Sequence, residues 1–141
     1  MRISLKEAIR FHGHLGPYLI LGILAGEAAL KILKCKKYFG LEAKVWGATK
    51  RPKSCLIDGL QLSTGATFGK GNIEKTPAPS IKIQITNCQN KQKIIFKLKE
   101  QLVKKIETLK AHKDSELFAK QLYKTNYSYL FHSKLYPKPK T

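Results

Sequence analysis

GPYLILGILAGEAALKIL, residues 16–33, is the run on which the reading of the fold turns. Pro17 suits the first turn of a helix, where its missing N–H would have had no partner. From Tyr18 to Leu33 such a helix is apolar almost all round, and a helix of that kind is buried against other elements rather than laid on a surface. Gly22, Gly26 and Ala29 form a stripe of small residues along it. Glycine costs a helix about 1 kcal/mol per residue, so the stripe implies a strand or a second helix in close approach.

The flanking segments supply the elements that would cover it. Upstream, ISLKEAIR (residues 3–10) reads as a short amphipathic helix, with Ser4 as its N-cap and Glu7 as the capping-box partner. Downstream, lysines and Gly40 end the long helix. LEAKVWGA from Leu41 then alternates like a strand, KRPKS breaks it, and CLIDGLQL from Cys55 forms a short helix. STGATFGKGN (63–72) is loop chemistry, whereas SIKIQITN sets Ile81, Ile83 and Ile85 on one strand face. KIIFK (93–97) is a further strand or the start of the next helix. Ile95, Leu98, Leu102, Ile106 and Leu109 recur at helical spacing, and residues 114–124 make one more short helix. The fold class is therefore α+β: a single domain over residues 1–141, with a mixed or antiparallel sheet packed against the long apolar N-terminal helix and C-terminal helices. A basic, aromatic-containing tail, about 125–141, is expected to dock loosely.

Composition narrows the function classes. The chain has 141 residues and a formal net charge of +18, which points first to a polyanionic partner. The charge is spread evenly, with 14 Lys and Arg against 5 Asp and Glu in residues 1–88, and 13 against 4 in residues 89–141. Three of the 27 basic residues are arginine, the residue that base readout favours. A basic nucleic-acid-binding protein using its lysines and its C-terminal aromatics is accordingly the second reading rather than the first. Cys35, Cys55 and Cys88 are scattered and form no CxxC, which speaks for reduced thiols and a cytoplasmic location. No run reaches the roughly 18–20 apolar residues of a membrane span. GATFGKG fails as a phosphate-binding P-loop, because three residues separate Gly65 from Gly69 and Gly71 stands where Ser or Thr would hold magnesium.

FHGHLG, just before the long helix, carries the chemistry. In an extended segment His12 and His14 point to one side. Two imidazoles so placed share one metal ion or one anion, or they satisfy backbone groups around a turn. The positive end of the following helix favours the neutral imidazole that binds metal. The glycines of the 63–72 loop, with Lys70, form either an anion cradle or a tight connection.

FHGHLGP, an apolar helix, a strand and then CLIDGLQLSTGATFGKGN together resemble the FmdE family, the proteins similar to the FmdE component of formylmethanofuran dehydrogenase. The resemblance covers roughly the first 90 residues. It implies an α+β core domain, a homodimer, and a link in redox or one-carbon metabolism to the molybdenum or tungsten formylmethanofuran dehydrogenases of methanogenic archaea, as enzyme or accessory subunit. It matches His12 and His14 to the family's HGH pair, and Cys55, Asp58 and Gln61 to its Cys-x-x-Asp-x-x-Gln element. Thr64, Gly65, Gly69, Lys70, Gly71 and Asn72 match its glycine-rich loop. Gly16 and Ala66 replace two family cysteines, and the C-terminal zinc-ribbon of some members is missing. What the resemblance implies is a mononuclear divalent metal, zinc foremost, on His12, His14 and Cys55, with an open fourth position. Asp58 would orient a ligand, and the 64–72 loop would hold an anionic small molecule. Cys55, Asp58 and Lys70 are the catalytic candidates. Lys50, Lys53 and Lys70 are expected to lower the Cys55 thiol pKa.

Overall fold

The computed structural model describes residues 2–137, and the last four residues of the basic tail fall outside that range. Helices α1 (Leu5–His12) and α2 (Pro17–Leu33) lead into β1 (Leu41–Trp46), α3 (Cys55–Thr64) and β2 (Ile73–Thr76). Then come β3 (Lys82–Asn87), β4 (Lys93–Leu98), α4 (Glu100–Glu107), α5 (His112–Tyr123), a 3-10 turn at Tyr127–Tyr129, and β5 (Phe131–Tyr136). The strands form one sheet in the order β2-β1-β3-β4-β5. β1 and β2 run parallel, joined through α3, and the other neighbours are antiparallel. This is the α+β architecture with a mixed sheet that the sequence implied.

One face of the sheet is buried and the other is not, which is why the strands alternate. Ala43 and Val45 of β1 stand opposite Ile85 and Ile83 of β3, and these stand opposite Ile94 and Phe96 of β4. All six are buried. The helices cover that face. α2 is buried along most of its length, as its unbroken apolarity requires. The small-residue stripe meets α3: a Cβ on Gly22 would fall 2.0 Å from the Leu56 carbonyl oxygen, and one on Gly59 would fall 2.1 Å from that of Leu19. The two helices thus pack backbone against backbone. At its far end α2 is tied to the sheet by buried Asn87, whose side-chain amide donates to the Leu33 carbonyl at 3.0 Å.

α1 begins as its sequence dictates. Ser4 accepts from the Glu7 N–H while the Glu7 carboxylate accepts from the Ser4 N–H. Beside it, Tyr123 at the end of α5 donates its hydroxyl to the Ile3 carbonyl at 2.6 Å, and the Ile3 N–H donates to Glu27 at 2.7 Å. Arg2 lies over the Tyr123 ring and donates to the Tyr123 carbonyl. The start of the chain thereby clamps α5 to α2.

Three elements differ from expectation. Ile95 and Leu98 belong to β4, not to a helix: the two-residue period of Ile94, Phe96 and Leu98 prevails, and α4 starts only at Glu100. β2 was hidden because one of its four residues, Ile73, is buried. The expected loose tail contains β5, which pairs with β4 along its whole length. The tail aromatics turn inward as well, with Phe131 and Tyr127 set edge-on to the buried Phe96 ring at 5.5 and 5.8 Å. That use of the rings leaves them poorly placed to stack on bases. No single helix among the described residues is long and apolar enough to cross a membrane.

Gly22→Ala should lower stability by about 2–3 kcal/mol, the cost of forcing atoms into a packed core, although helix propensity alone would make alanine better by about 1 kcal/mol. Urea unfolding gives the sign, with Gly69→Ala, whose added Cβ meets only the Thr67 hydroxyl at 3.9 Å, as a control expected within about 0.5 kcal/mol of wild type.

Candidate metal centre

The α2–α3 contact brings the start of α3 to the end of α1. Cys55 is the first residue of α3, and Asp58 lies in its first turn. His12 is the last residue of α1, so it does not lie in an extended segment at the head of α2. The capped helix runs on through Phe11, and Gly13, left-handed at φ 99°, closes it with an N–H to the Ile9 carbonyl at 2.7 Å. The positive end of α2 is therefore not what conditions His12. The Asp58 carboxylate is, with Oδ2 3.0 Å from His12 Nδ1. A carboxylate only accepts, so Nδ1 carries the hydrogen and the lone pair of the neutral ring lies on Nε2. That Nε2 is buried and has no hydrogen-bond partner among the described residues.

His12, Cys55 and Asp58 each offer a ligand atom, and the three atoms lie within 4.8 Å of one another. The His12 side chain is 10% exposed and Asp58 is 40% exposed, so the cluster opens to solvent on the carboxylate side. His14 stands beside this trio: it is exposed, and its ring meets that of His12 edge-on at a centroid distance of 4.7 Å. Its other neighbour is His112 at the start of α5, 5.8 Å away. Sequence reasoning set His112 aside as a surface residue, and its remote position in the chain carries no spacing signal. His132 lies on β5 opposite Lys97, on another part of the molecule.

The Cys55 thiol pKa is raised, not lowered. Burial is the largest cause, the Asp58 charge adds to it, and Arg51 opposes both. The expected effect of Lys50, Lys53 and Lys70 is overridden because the closest charge is a carboxylate and Lys70 is elsewhere. α3 is ten residues long, which separates its two ends by about 15 Å. The 64–72 loop begins where α3 stops.

In that loop the polar groups bind the fold. Asn72 accepts from the Thr67 N–H at 2.9 Å and donates to the Tyr38 and Leu41 carbonyls at 2.7 and 3.3 Å. Lys70 donates to the Gly65 carbonyl and its Nζ lies 4.5 Å from the Phe39 ring centroid. Gly65 sits against the Tyr38 ring at φ 79°, where a Cβ would clash with it, and Gly71 also has positive φ. Thr64 is buried, with its hydroxyl on the Leu60 carbonyl at 2.6 Å. Thus Cys55 and Asp58 share a site with His12, whereas Thr64, Gly65, Gly69, Lys70, Gly71 and Asn72 lie at the other end of α3.

Residues 11–132 match the family described as FmdE, molybdenum formylmethanofuran dehydrogenase operon. The chain belongs to the FmdE family. Among solved structures, this FmdE chain is similar to an FmdE-like protein of tungsten formylmethanofuran dehydrogenase type from Syntrophus aciditrophicus. The likeness has a TM-score of 0.64 at 20% identity and covers 96% of this chain and 71% of the other. At that identity it establishes the shared fold. No curated protein sequence matches the chain. The FmdE match spans the HGH segment, α3, the glycine-rich loop and α5 alike.

Two outcomes follow from this geometry. In a Cys35→Ser/Cys88→Ser background without metal, alkylation of Cys55 should have its pH midpoint above the ordinary thiol value of about 8.5. Asp58→Asn should bring it down, because the removed charge opposes the thiolate; a midpoint below about 8.5 in the parent would mean that the lysines dominate after all. At the other end of α3, Asn72→Ala should cost about 1–3 kcal/mol of unfolding free energy, by stranding the groups it serves.

Proposed function

We propose that this FmdE chain is a divalent-metal-binding domain, with the ion held by His12, His14 and Cys55 and with Asp58 fixing the His12 ring from behind. The observation that carries the reading is the buried, unpartnered Nε2 of His12 beside the Cys55 thiol, with Nδ1 already engaged. A buried polar atom without a partner costs free energy, and a metal bond removes that cost. The carboxylate–histidine pair is the arrangement that sets tautomer and ring orientation for a metal ligand. Nitrogen and thiolate donors suit zinc, and one of its four tetrahedral positions is left over. The thiolate and the carboxylate together balance the charge of a divalent ion, so the site is near neutral when filled. The raised thiol pKa makes binding pH-dependent: the thiol proton must leave, and affinity rises with pH.

A divalent ion here would supply Lewis acidity toward an oxygen of a small anionic ligand. Cys55 anchors from α3, His12 from α1, and Asp58 holds His12 still. Family membership places the coarse role near one-carbon metabolism. Within that, an enzyme or accessory subunit working on a small anion, as a homodimer, is the reading supported by the resemblance and by the solvent-facing mouth of the site.

Elemental analysis of untagged protein purified without chelators tests this. Wild type should carry about one zinc-like ion per chain and His12→Ala/Cys55→Ser almost none, while Asp58→Asn should bind about 10–100-fold more weakly. A wild type that stays metal-free after incubation with zinc at mildly alkaline pH would sink the proposal.

A further inference from the structure

The chain contains four histidines, His12, His14, His112 and His132. Three of them meet at one place. His112 comes from the far end of the sequence, yet its ring stands edge-on to His14, which stands edge-on to His12, at 5.8 and 4.7 Å. We infer that His112 supplies the fourth ligand of the metal centre, so that its resting donor set is three imidazoles and one thiolate. The inference rests on the metal reading above and names the residue that occupies the position left over there.

Geometry favours it first. Two imidazoles on one tetrahedral ion with bonds of about 2.0–2.1 Å have ring centroids roughly 5 Å apart. The two separations in the protein bracket that value. Exposed imidazoles gain little from touching each other in water, and they repel once protonated, so mutual contact alone is a weak reason for His14 and His112 to meet. Charge favours it next: His112 is a neutral donor, and the thiolate with Asp58 already balances a divalent ion. Residue 16, being glycine, offers no donor, although a side chain there would reach His14, since its Cβ would fall 3.6 Å from His14 Cε1.

α5 itself supplies the third argument. Its N-cap is Ala111, which makes no side-chain capping bond, so the roughly 1 kcal/mol that a Ser or Asp cap provides is absent. The other end is clamped by Tyr123 on Ile3 and by Arg2. A metal bond at His112 would secure the uncapped end and join α1, α3 and α5 through one ion. Because His112 is exposed and held only by this end, it is also the ligand that a small anion would displace most easily.

Cobalt(II) added to the full chain tests the assignment, with the thiolate-to-cobalt charge-transfer band, the d–d bands and competition affinity as readouts. His112→Ala should weaken cobalt binding about tenfold or more and alter the d–d bands, free imidazole should restore both, and His132→Ala should change neither. Unchanged affinity and spectrum in His112→Ala would overturn the assignment and leave the metal reading intact. Weaker binding with unaltered d–d bands and no imidazole rescue would mean that His112 acts through the packing of α5, which also overturns it. A wild type without a thiolate–cobalt band, or with one that survives Cys55→Ser, would overturn the metal reading and this inference together.

Discussion

Where α2 crosses α3, Gly22 and Gly59 leave main chain against main chain, and Gly26 lies against Ser63. That contact fixes how far apart the two helix axes can be, and with it the position of everything α3 carries. Its N-terminal turn arrives beside α1 with Cys55 and Asp58; its C-terminal end delivers the glycine-rich loop to Tyr38. Two glycines in helices sacrifice about 2 kcal/mol of intrinsic propensity. The exchange is favourable because a helix as apolar as α2 must be covered on every side, and close approach covers it most completely.

Much of this was legible. The unbroken apolarity of residues 18–33 required a buried helix, its small stripe required a close neighbour, and the alternation at 41–46 and 81–87 required a sheet with one wet face. The capping box at Ser4 and Glu7 was readable too, but its consequence was not followed far enough. A well-capped start and good helix formers carry α1 through His12, and Gly13 is the residue that ends it. Edge strands were the other blind spot. β2 buries Ile73, and β5 is buried at its first residue, Phe131, so neither presents the period that marks a half-buried strand. At Ile95 two periods coincide locally, and the hydrogen bonds of neighbouring strands decide between them.

The site was legible in its local parts and not in its assembly. His12 and Cys55 stand out by residue type, and Asp58 by its place one helical turn after Cys55. That the carboxylate would meet His12 Nδ1, or that His112 would meet His14, depends on how α1 and α5 are laid against α2 and α3, which no short spacing encodes. The 64–72 loop shows the converse. A Gly-Lys-Gly-Asn run looks like an anion cradle in isolation, yet in the fold its asparagine and lysine are consumed by neighbouring carbonyls.

The high positive charge gains another meaning from the sheet. Both of its outer strands are edges with unpaired backbone groups, and such edges invite other chains to add to them. β2 is four residues long, with Glu74, Lys75 and Thr76 exposed, and β5 exposes His132, Ser133 and Lys134. An incoming strand would have to desolvate charged side chains and approach a molecule carrying +18. The lysines thus protect the protein against self-association along its sheet, a colloidal role that operates whether or not any polyanion is bound.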